Sequence, residues 1–331
     1  MNFQKRVIIA EAGNNHEGSF QVAKQLILNA KKAGADAIKF QFIRPEFFIS
    51  AKDKKKFSLL SAFQLSERNF KELFNYANKI KFNMFATPFD VEGAKFLNKY
   101  QKIFKISSGD NNFFDLMKVV RSFEKPTIVS LGLADEILTK KIINFFQKKR
   151  FYCDKKNFCL MHCVSSYPAK KNLINLNSIS RIEQLSNNIT TGYSDHTIGT
   201  EIAKMAYTMG TKIIEKHFTL SNNFSSFRDH KLSLDFKEFK KLIISLNKID
   251  NILGEKKIKI NKDEYKNINL VRRKIILTKD KEKNSVLVRK DIVYLRSSKN
   301  GFFIENLKDI LKKKIKQRLK KFTVLQKKYF E

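Results

Sequence analysis

The sequence predicts a (β/α)8 TIM barrel of about 250 residues followed by a small β-rich domain. Three observations predict it. Short apolar, β-prone runs alternate eight times with amphipathic segments. Every one of those runs ends in polar residues, as barrel strands do at the face that carries a site. Past Asp250 the alternation stops and the texture turns polar and lysine-rich.

The eight runs are residues 7–13, 36–41, 83–89, 103–109, 127–132, 158–168, 189–196 and 212–220. The first helical stretch, 20–32, places Val22, Leu26 and Ala30 on one face and stops before Gly34, a residue suited to the left-handed position beyond a helix end. The stretch 66–79 has Ser66 as N-cap before Phe70, Leu73, Phe74 and Ala77. The last, 234–249, begins at Asp235 and buries Phe236, Phe239, Leu242 and Leu246. Between the last two runs, 201–209 is about the length that returns a parallel strand beside its neighbour. Linear order does not reveal closure, so a doubly wound open sheet is the alternative. The expected division is a barrel over 1–250, a linker over 251–270 and a small domain over 271–331. In that domain 273–278, 286–288 and 292–295 read as short strands. The final stretch is nearly a basic run, yet Ile310, Leu311, Ile315, Leu319, Phe322 and Leu325 are interspersed as in folded chain.

A hydrophobic fraction of 42% permits a proper core. The apolar run 7–9 is too short for a signal-peptide core, and no run approaches a membrane span. With Cys153, Cys159 and Cys163 odd in number and not spaced as a zinc knuckle, the expected setting is cytoplasmic, with reduced thiols and no membrane partner. The balance of 66 basic against 32 acidic side chains, a net +34, would suit nucleic acid. Lysine, however, is spread over every segment and travels with heavy use of Asn, Ile and Phe. No helix-turn-helix, RNP or zinc-finger pattern accompanies it, so no nucleic-acid partner is expected. The charge suits anionic small molecules instead.

The polar strand ends carry the functional expectation. The first run ends at Glu11; the second carries Lys39 and Gln41, two apart and therefore on one face. Thr87 closes the third. Lys105, then Ser108 and Asp110, follow on the fourth, Ser130 on the fifth, and Ser165 and Tyr167 on the sixth. Ser194 and His196 end the seventh and His217 the eighth. Inward lysines, hydroxyls and glycine-flanked amides suit a phosphate and a carboxylate. Adjacent strands lie about 4.8 Å apart, so His196 and His217 could face one divalent cation. The plainer reading is that each is a hydrogen-bonded strand-end residue. Glu11 is the one carboxylate placed to act as a base or to orient a hydroxyl. His162 falls on the face opposite Cys159 and Cys163, which excludes a cluster of those three. His16 and His230 sit in loops, to meet substrate or to tie the loop down.

Several stretches closely resemble the sialic acid synthase family: Ile8-Ile9-Ala10-Glu11-Ala12-Gly13-Asn14-Asn15-His16-Glu17-Gly18, Ala37-Ile38-Lys39-Phe40-Gln41, Leu160-Met161-His162-Cys163-Val164-Ser165-Ser166-Tyr167-Pro168, Gly192-Tyr193-Ser194-Asp195-His196-Thr197 and Ile214-Glu215-Lys216-His217-Phe218-Thr219. The tail is similar, more loosely, to that family's antifreeze-like (SAF) domain. The resemblance implies condensation of phosphoenolpyruvate with an N-acetylated mannosamine-type sugar, N-acetylneuraminate synthesis being its simplest form. It implies a manganese or magnesium ion on His196 and His217. It places Lys39, Thr87, Lys105, Ser108, Ser130, Ser165 and Ser194 around phosphoenolpyruvate, and Glu11, Gln41, Asp110, Tyr167 and Asp229 at the sugar. It also implies a domain-swapped homodimer in which Arg296 reaches the partner's sugar site. Ser297-Ser298 stand where the family usually has Pro-Gly, Lys283-Asn284-Ser285 where it has Lys-Gly-Glu, and Asp110 where glutamate is frequent. Two other readings stand beside this one: a legionaminic or pseudaminic acid synthase using a deoxy diacetamido sugar, and an inactive paralogue.

Overall fold

Residues along each strand alternate between two surroundings, and that alternation builds the barrel. The computed structural model describes residues 2–331, in two compact units, Met1–Gly254 and Glu255–Glu331. The first unit contains β1 (Val7–Gly13), β2 (Ala37–Phe42), β3 (Asn83–Pro88), β4 (Phe104–Ile106), β5 (Thr127–Ser130), β6 (Phe158–Cys163), β7 (Thr190–Asp195) and β8 (Ile213–His217). All pair in parallel, in the order β3-β2-β1-β8-β7-β6-β5-β4. The two ends of that order, β3 and β4, lie against each other, so the open doubly wound alternative falls away and the sheet closes on itself at their seam. There the buried Gln101 side chain takes the place of a strand, accepting from the Ala86 N–H at 2.8 Å and donating to the Ala86 carbonyl at 3.1 Å.

The helices of this unit are α1 (Phe20–Ala33), α2 (Pro45–Phe48), α3 (Lys54–Phe63), α4 (Glu67–Lys79), α5 (Val91–Asn98), α6 (Phe114–Ser122), α7 (Glu136–Gln147), α8 (Ser178–Leu185), α9 (Glu201–Thr208), α10 (Arg228–Leu232) and α11 (Phe236–Leu253). Every strand is followed by a helix with a buried apolar face; α2, α3 and α10 are additions in the loops after β2 and β8. The caps are where the sequence puts them. Gly34 ends α1 with φ 96°, Ser66 opens α4 in a reciprocal pair with Asn69, and Asp235 does the same for α11 with Glu238. Such caps contribute roughly 1 kcal/mol each.

Outward residues such as Ile8, Ala10, Ile38, Phe40, Leu160 and Ile214 bury against the helices. Inward residues of the lower half, among them Val7, Ile9, Ala37, Phe85, Ile103, Ile128, Met161 and Ile213, form a separate apolar plug. Two residues further along the same strands the inward positions become polar.

In the second unit, α12 (Lys262–Val271) occupies the second half of the stretch expected as linker, running one residue past it, and buries none of its residues. β9 (Arg273–Leu277) pairs antiparallel with β10 (Ile292–Arg296). Residues 286–288, expected as a strand, contribute only an isolated bridge from Val286 to Lys314. Ile275, Leu277, Leu287, Ile310, Ile315, Leu319, Leu325 and Phe330 form the core of this unit, so its basic end is folded chain. Phe322, in contrast, stays exposed. Among the described residues no helix is long and apolar enough to cross a membrane.

Candidate active site

The inward positions of the upper half hold four buried charges. Lys39 Nζ lies 2.6 Å from Glu11 Oε2 and 3.2 Å from Thr87 Oγ1. Lys105 Nζ reaches both oxygens of Glu215, at 2.8 and 3.0 Å. Lys39 is 3.8 Å from the same carboxylate, and Ser194 Oγ donates to it at 3.0 Å. Two lysines and two glutamates sum to zero, which makes burial tolerable: each charge faces its opposite. Burial would raise the Glu215 carboxyl, but Lys105 and Lys39 hold it below the ordinary carboxylate range. For Glu11 burial wins over Lys39 and, with Glu215 nearby, pushes the carboxyl up.

Glu215 corrects the expectation of a single carboxylate. It stands two residues before His217 on β8, so the parity that brings the histidine inward brings the glutamate too. Cys163 joins the same cavity by the same rule, with Sγ 3.7 Å from His196 Nδ1.

Next to this quartet lies a cradle without positive charge. Ser130 and Ser165 each direct a buried hydroxyl that has no hydrogen-bond partner. Ser108 Oγ accepts from the Gly132 N–H at 3.2 Å. A Cβ on Gly132 would sit 2.3 Å from Ser165 Oγ and 2.6 Å from Ser108 Oγ, so only glycine leaves the cradle open. Asn111 holds its rim by donating to the carbonyls of Ser130 and Gly132 at 3.2 and 2.8 Å. Buried hydroxyls awaiting an acceptor, with ammonium groups close by, suit an anion.

The histidines face each other across the cavity with ring centroids 5.3 Å apart. His196 Nδ1 lies 2.7 Å from the Val164 carbonyl, so that nitrogen carries a proton and Nε2 is the one left for a ligand. His217 Nδ1 is buried without a partner, and burial with cationic neighbours keeps the ring well below the usual imidazole range, hence neutral. For His196 burial opposes the charge, but the Cys163 thiol and the Val164 carbonyl raise the ring above the usual imidazole range. Once its Nε2 is deprotonated the pair can ligate a divalent cation, with oxygen from water or substrate completing the shell. Among the described residues no group of three or more His, Cys, Asp or Glu is placed to do so alone.

The Tyr167 ring lies against His196, centroids 4.1 Å apart and the planes tilted by 33°. Outward from it the cavity widens to about 1200 Å³, where Gln41, Asp110, Tyr167 and Asp229 supply polar groups and Phe48, Leu59, Leu60, Phe63, Phe89 and Phe227 an apolar wall. Gln41 accepts from Asn14 Nδ2 at 3.0 Å, and Asp110 from Ser107 Oγ at 2.6 Å. The barrel thus brings together every site residue expected in the first unit. Arg296 stands exposed at the end of β10 in the second. His162 points outward, with Nε2 2.6 Å from the Ile174 carbonyl.

Buried cations and anion-seeking hydroxyls converge at the carboxyl ends of the barrel strands, where enzymes of this fold carry their sites, and they suit an anionic ligand. The chain belongs to the NeuB family, whose model matches residues 26–258. It is 36% identical over 284 residues to the N,N'-diacetyllegionaminic acid synthase of Campylobacter jejuni, covering 82% of this chain and 84% of that protein. It is 32% identical over 260 residues to the N-acetylneuraminate-9-phosphate synthase of Mus musculus, at 75% and 71% coverage. The solved structure of N-acetylneuraminic acid (sialic acid) synthetase from Leptospira borgpetersenii, in complex with citrate, superposes with a TM-score of 0.74 at 33% identity, over 80% of this chain and 91% of that one. The protein is therefore a sialic-acid-synthase-like enzyme of nonulosonic acid biosynthesis, as its motifs led us to expect.

Proposed function

We propose that this enzyme joins phosphoenolpyruvate to the open-chain aldehyde of an N-acetylated mannosamine-type sugar, giving a nine-carbon 2-keto sugar acid and phosphate. One observation carries the reading: the unpartnered hydroxyls of Ser130 and Ser165, spaced by Gly132, lie beside two buried lysines and across from the facing histidine pair. Lys39, Thr87, Lys105, Ser108, Ser130, Ser165 and Ser194 would hold the phosphate and carboxylate of phosphoenolpyruvate. Glu11, Gln41, Asp110, Tyr167 and Asp229 would orient the sugar.

The enol carbon attacks the aldehyde carbon, forming the new C–C bond while the aldehyde oxygen gains a proton. Water then adds to the cationic C2, and the bond from C2 to the phosphate oxygen breaks to leave the ketone. Manganese or magnesium held by His196 and His217 would supply Lewis-acid polarisation of the aldehyde. Glu11, paired with Lys39 beside His217 on the neighbouring strand, is placed to take the proton of the added water. The lysines neutralise charge that would otherwise accumulate in a water-poor pocket. We further propose that the second unit acts as an antifreeze-like domain in a domain-swapped homodimer, with Arg296 reaching the partner's sugar site; its exposure at the end of β10 supports this.

A second acceptor, a 2,4-diacetamido-trideoxy hexose, is favoured by the apolar wall of Phe48, Leu59, Leu60, Phe63, Phe89 and Phe227, whose side chains offer no hydrogen bond to a distal hydroxyl. The likeness to a legionaminic acid synthase points the same way. The test supplies manganese, phosphoenolpyruvate and either N-acetylmannosamine or the diacetamido sugar, and follows phosphate release. Release with at least one is expected; none with any acceptor, while metal still binds, overturns the reading. His196→Ala should lower metal affinity by about 10–100-fold or more and abolish turnover, with circular dichroism unchanged. Retained turnover would remove His196 from the metal assignment.

A further inference from the structure

Outside the reacting centre, one buried polar network has no role in the chemistry above. His230 is fully shielded, and both of its ring nitrogens are engaged: Nδ1 lies 2.7 Å from Thr219 Oγ1 and Nε2 3.0 Å from Glu17 Oε1. Ser225 Oγ donates to the same Glu17 oxygen. The order hydroxyl, imidazole, carboxylate has the form of a nucleophilic triad, but Thr219 is buried to 0% exposure and cannot meet a substrate.

The location of the network says what it does. Thr219 leaves the end of β8, Glu17 belongs to the turn after β1, and Ser225 and His230 lie in the chain between β8 and α11. That chain is clasped further by Asn222 Nδ2, which donates to the carbonyls of His230 at 3.3 Å and Ser233 at 2.6 Å. Asn15 Nδ2 adds bonds to Ser233 Oγ at 3.0 Å and the Phe218 carbonyl at 2.9 Å. The clasped segment carries Ser225, Ser226, Phe227 and Asp229, one whole wall of the outer cavity. Phe227 in turn meets Phe63 of α3 edge-on at 5.1 Å, so the opposite apolar wall leans on it. None of these contacts touches the cradle, which β4, β5, β6 and their loops build.

We propose that Glu17, His230 and Thr219 are positioning residues that set the acceptor end of the cavity independently of its phosphate end. Naming that end as the acceptor's rests on the function proposed above. The latch is a chain of hydrogen bonds in which Thr219 and His230 are fully buried and Glu17, part-buried at the cavity wall, holds both His230 and Ser225. Removing one therefore leaves another unpaired and frees the segment. Hydrogen exchange of the full chain tests the structural part. Glu17→Gln should speed exchange over 221–230 and 14–18 while β3 and β5 stay protected; unchanged exchange over 221–230 overturns the proposal. Kinetics test the specific part. Glu17→Gln should raise KM for the acceptor on the order of tenfold, as loss of one charge-assisted hydrogen bond does, and leave KM for phosphoenolpyruvate within about twofold. Thr219→Ser should keep the acceptor KM that Thr219→Val loses. A parallel rise in both KM values, or no rescue by serine, overturns it. If the wild type releases no phosphate with any acceptor, the synthase reading fails, and the exchange data alone decide the latch.

Discussion

The same strands line the barrel interior twice, once with carbon and once with charge. In the lower half Val7, Ile9, Phe85, Ile103, Ile128 and Ile213 fill the space between strands as any core does. Two residues further along, Glu11, Thr87, Lys105, Ser130 and Glu215 occupy the equivalent inward positions and leave a cavity. The lower half is held by area removed from water, about 25 cal/mol per Å² of apolar surface, and needs nothing else. The upper half must satisfy each buried charge with another, and it does so with two lysines against two glutamates. Stability and reactivity are thus separated along the strand axis by a single pleat.

Substitutions in the two halves should break differently. The largest effect is expected from Lys105→Met, which leaves Glu215 buried with only the Ser194 hydroxyl at 3.0 Å and Lys39 at 3.8 Å. Removing one partner of such a pair typically costs about 3–5 kcal/mol, so both thermal stability and phosphoenolpyruvate turnover should fall together. Unchanged melting would mean that Glu215 finds another partner or a proton. Phe85→Ala, in the plug, should cost a comparable 3–5 kcal/mol in a denaturant titration. Its kcat at low temperature should stay near that of the wild type, and a lost kcat would show that the two halves are not separable. A smaller change in stability, about 1–3 kcal/mol, is expected from Gly132→Ala, a buried position where the added methyl group meets the Ser108 and Ser165 side chains. Its methyl group would fill the cradle, so KM for phosphoenolpyruvate should rise on the order of tenfold or more, with the acceptor KM unmoved. Equal affinity for phosphoenolpyruvate would place the phosphate elsewhere.

Much of this division is legible before folding. Lys39 and Gln41 share a face because they are two apart in a strand, and the apolar residues ahead of them show where the strand begins. Gly34, Ser66 and Asp235 announce helix ends because capping is a contact between near neighbours. The short helices after β2 are harder to read: Pro45 and Asp53 mark their starts, but α3 buries none of its residues, so no apolar stripe follows. Residues 286–288 have strand-like composition but gain only one bridge, since β propensity without a paired neighbour is not a strand.

Local periodicity determines which residues of a strand face inward, because the pleat repeats every two residues whatever lies beside it. The sequence alone therefore sufficed to assemble the polar strand ends, the histidine pair and the family to which they belong. It could not show that Lys105 would be neutralised by Glu215, 110 residues away, or that a glutamine side chain would stand in for a strand at the seam. Those pairings depend on closure of β8 against β1 and on the register between strands. Only the tertiary structure decides these, because a buried charge takes whichever opposite charge the closed barrel brings within reach.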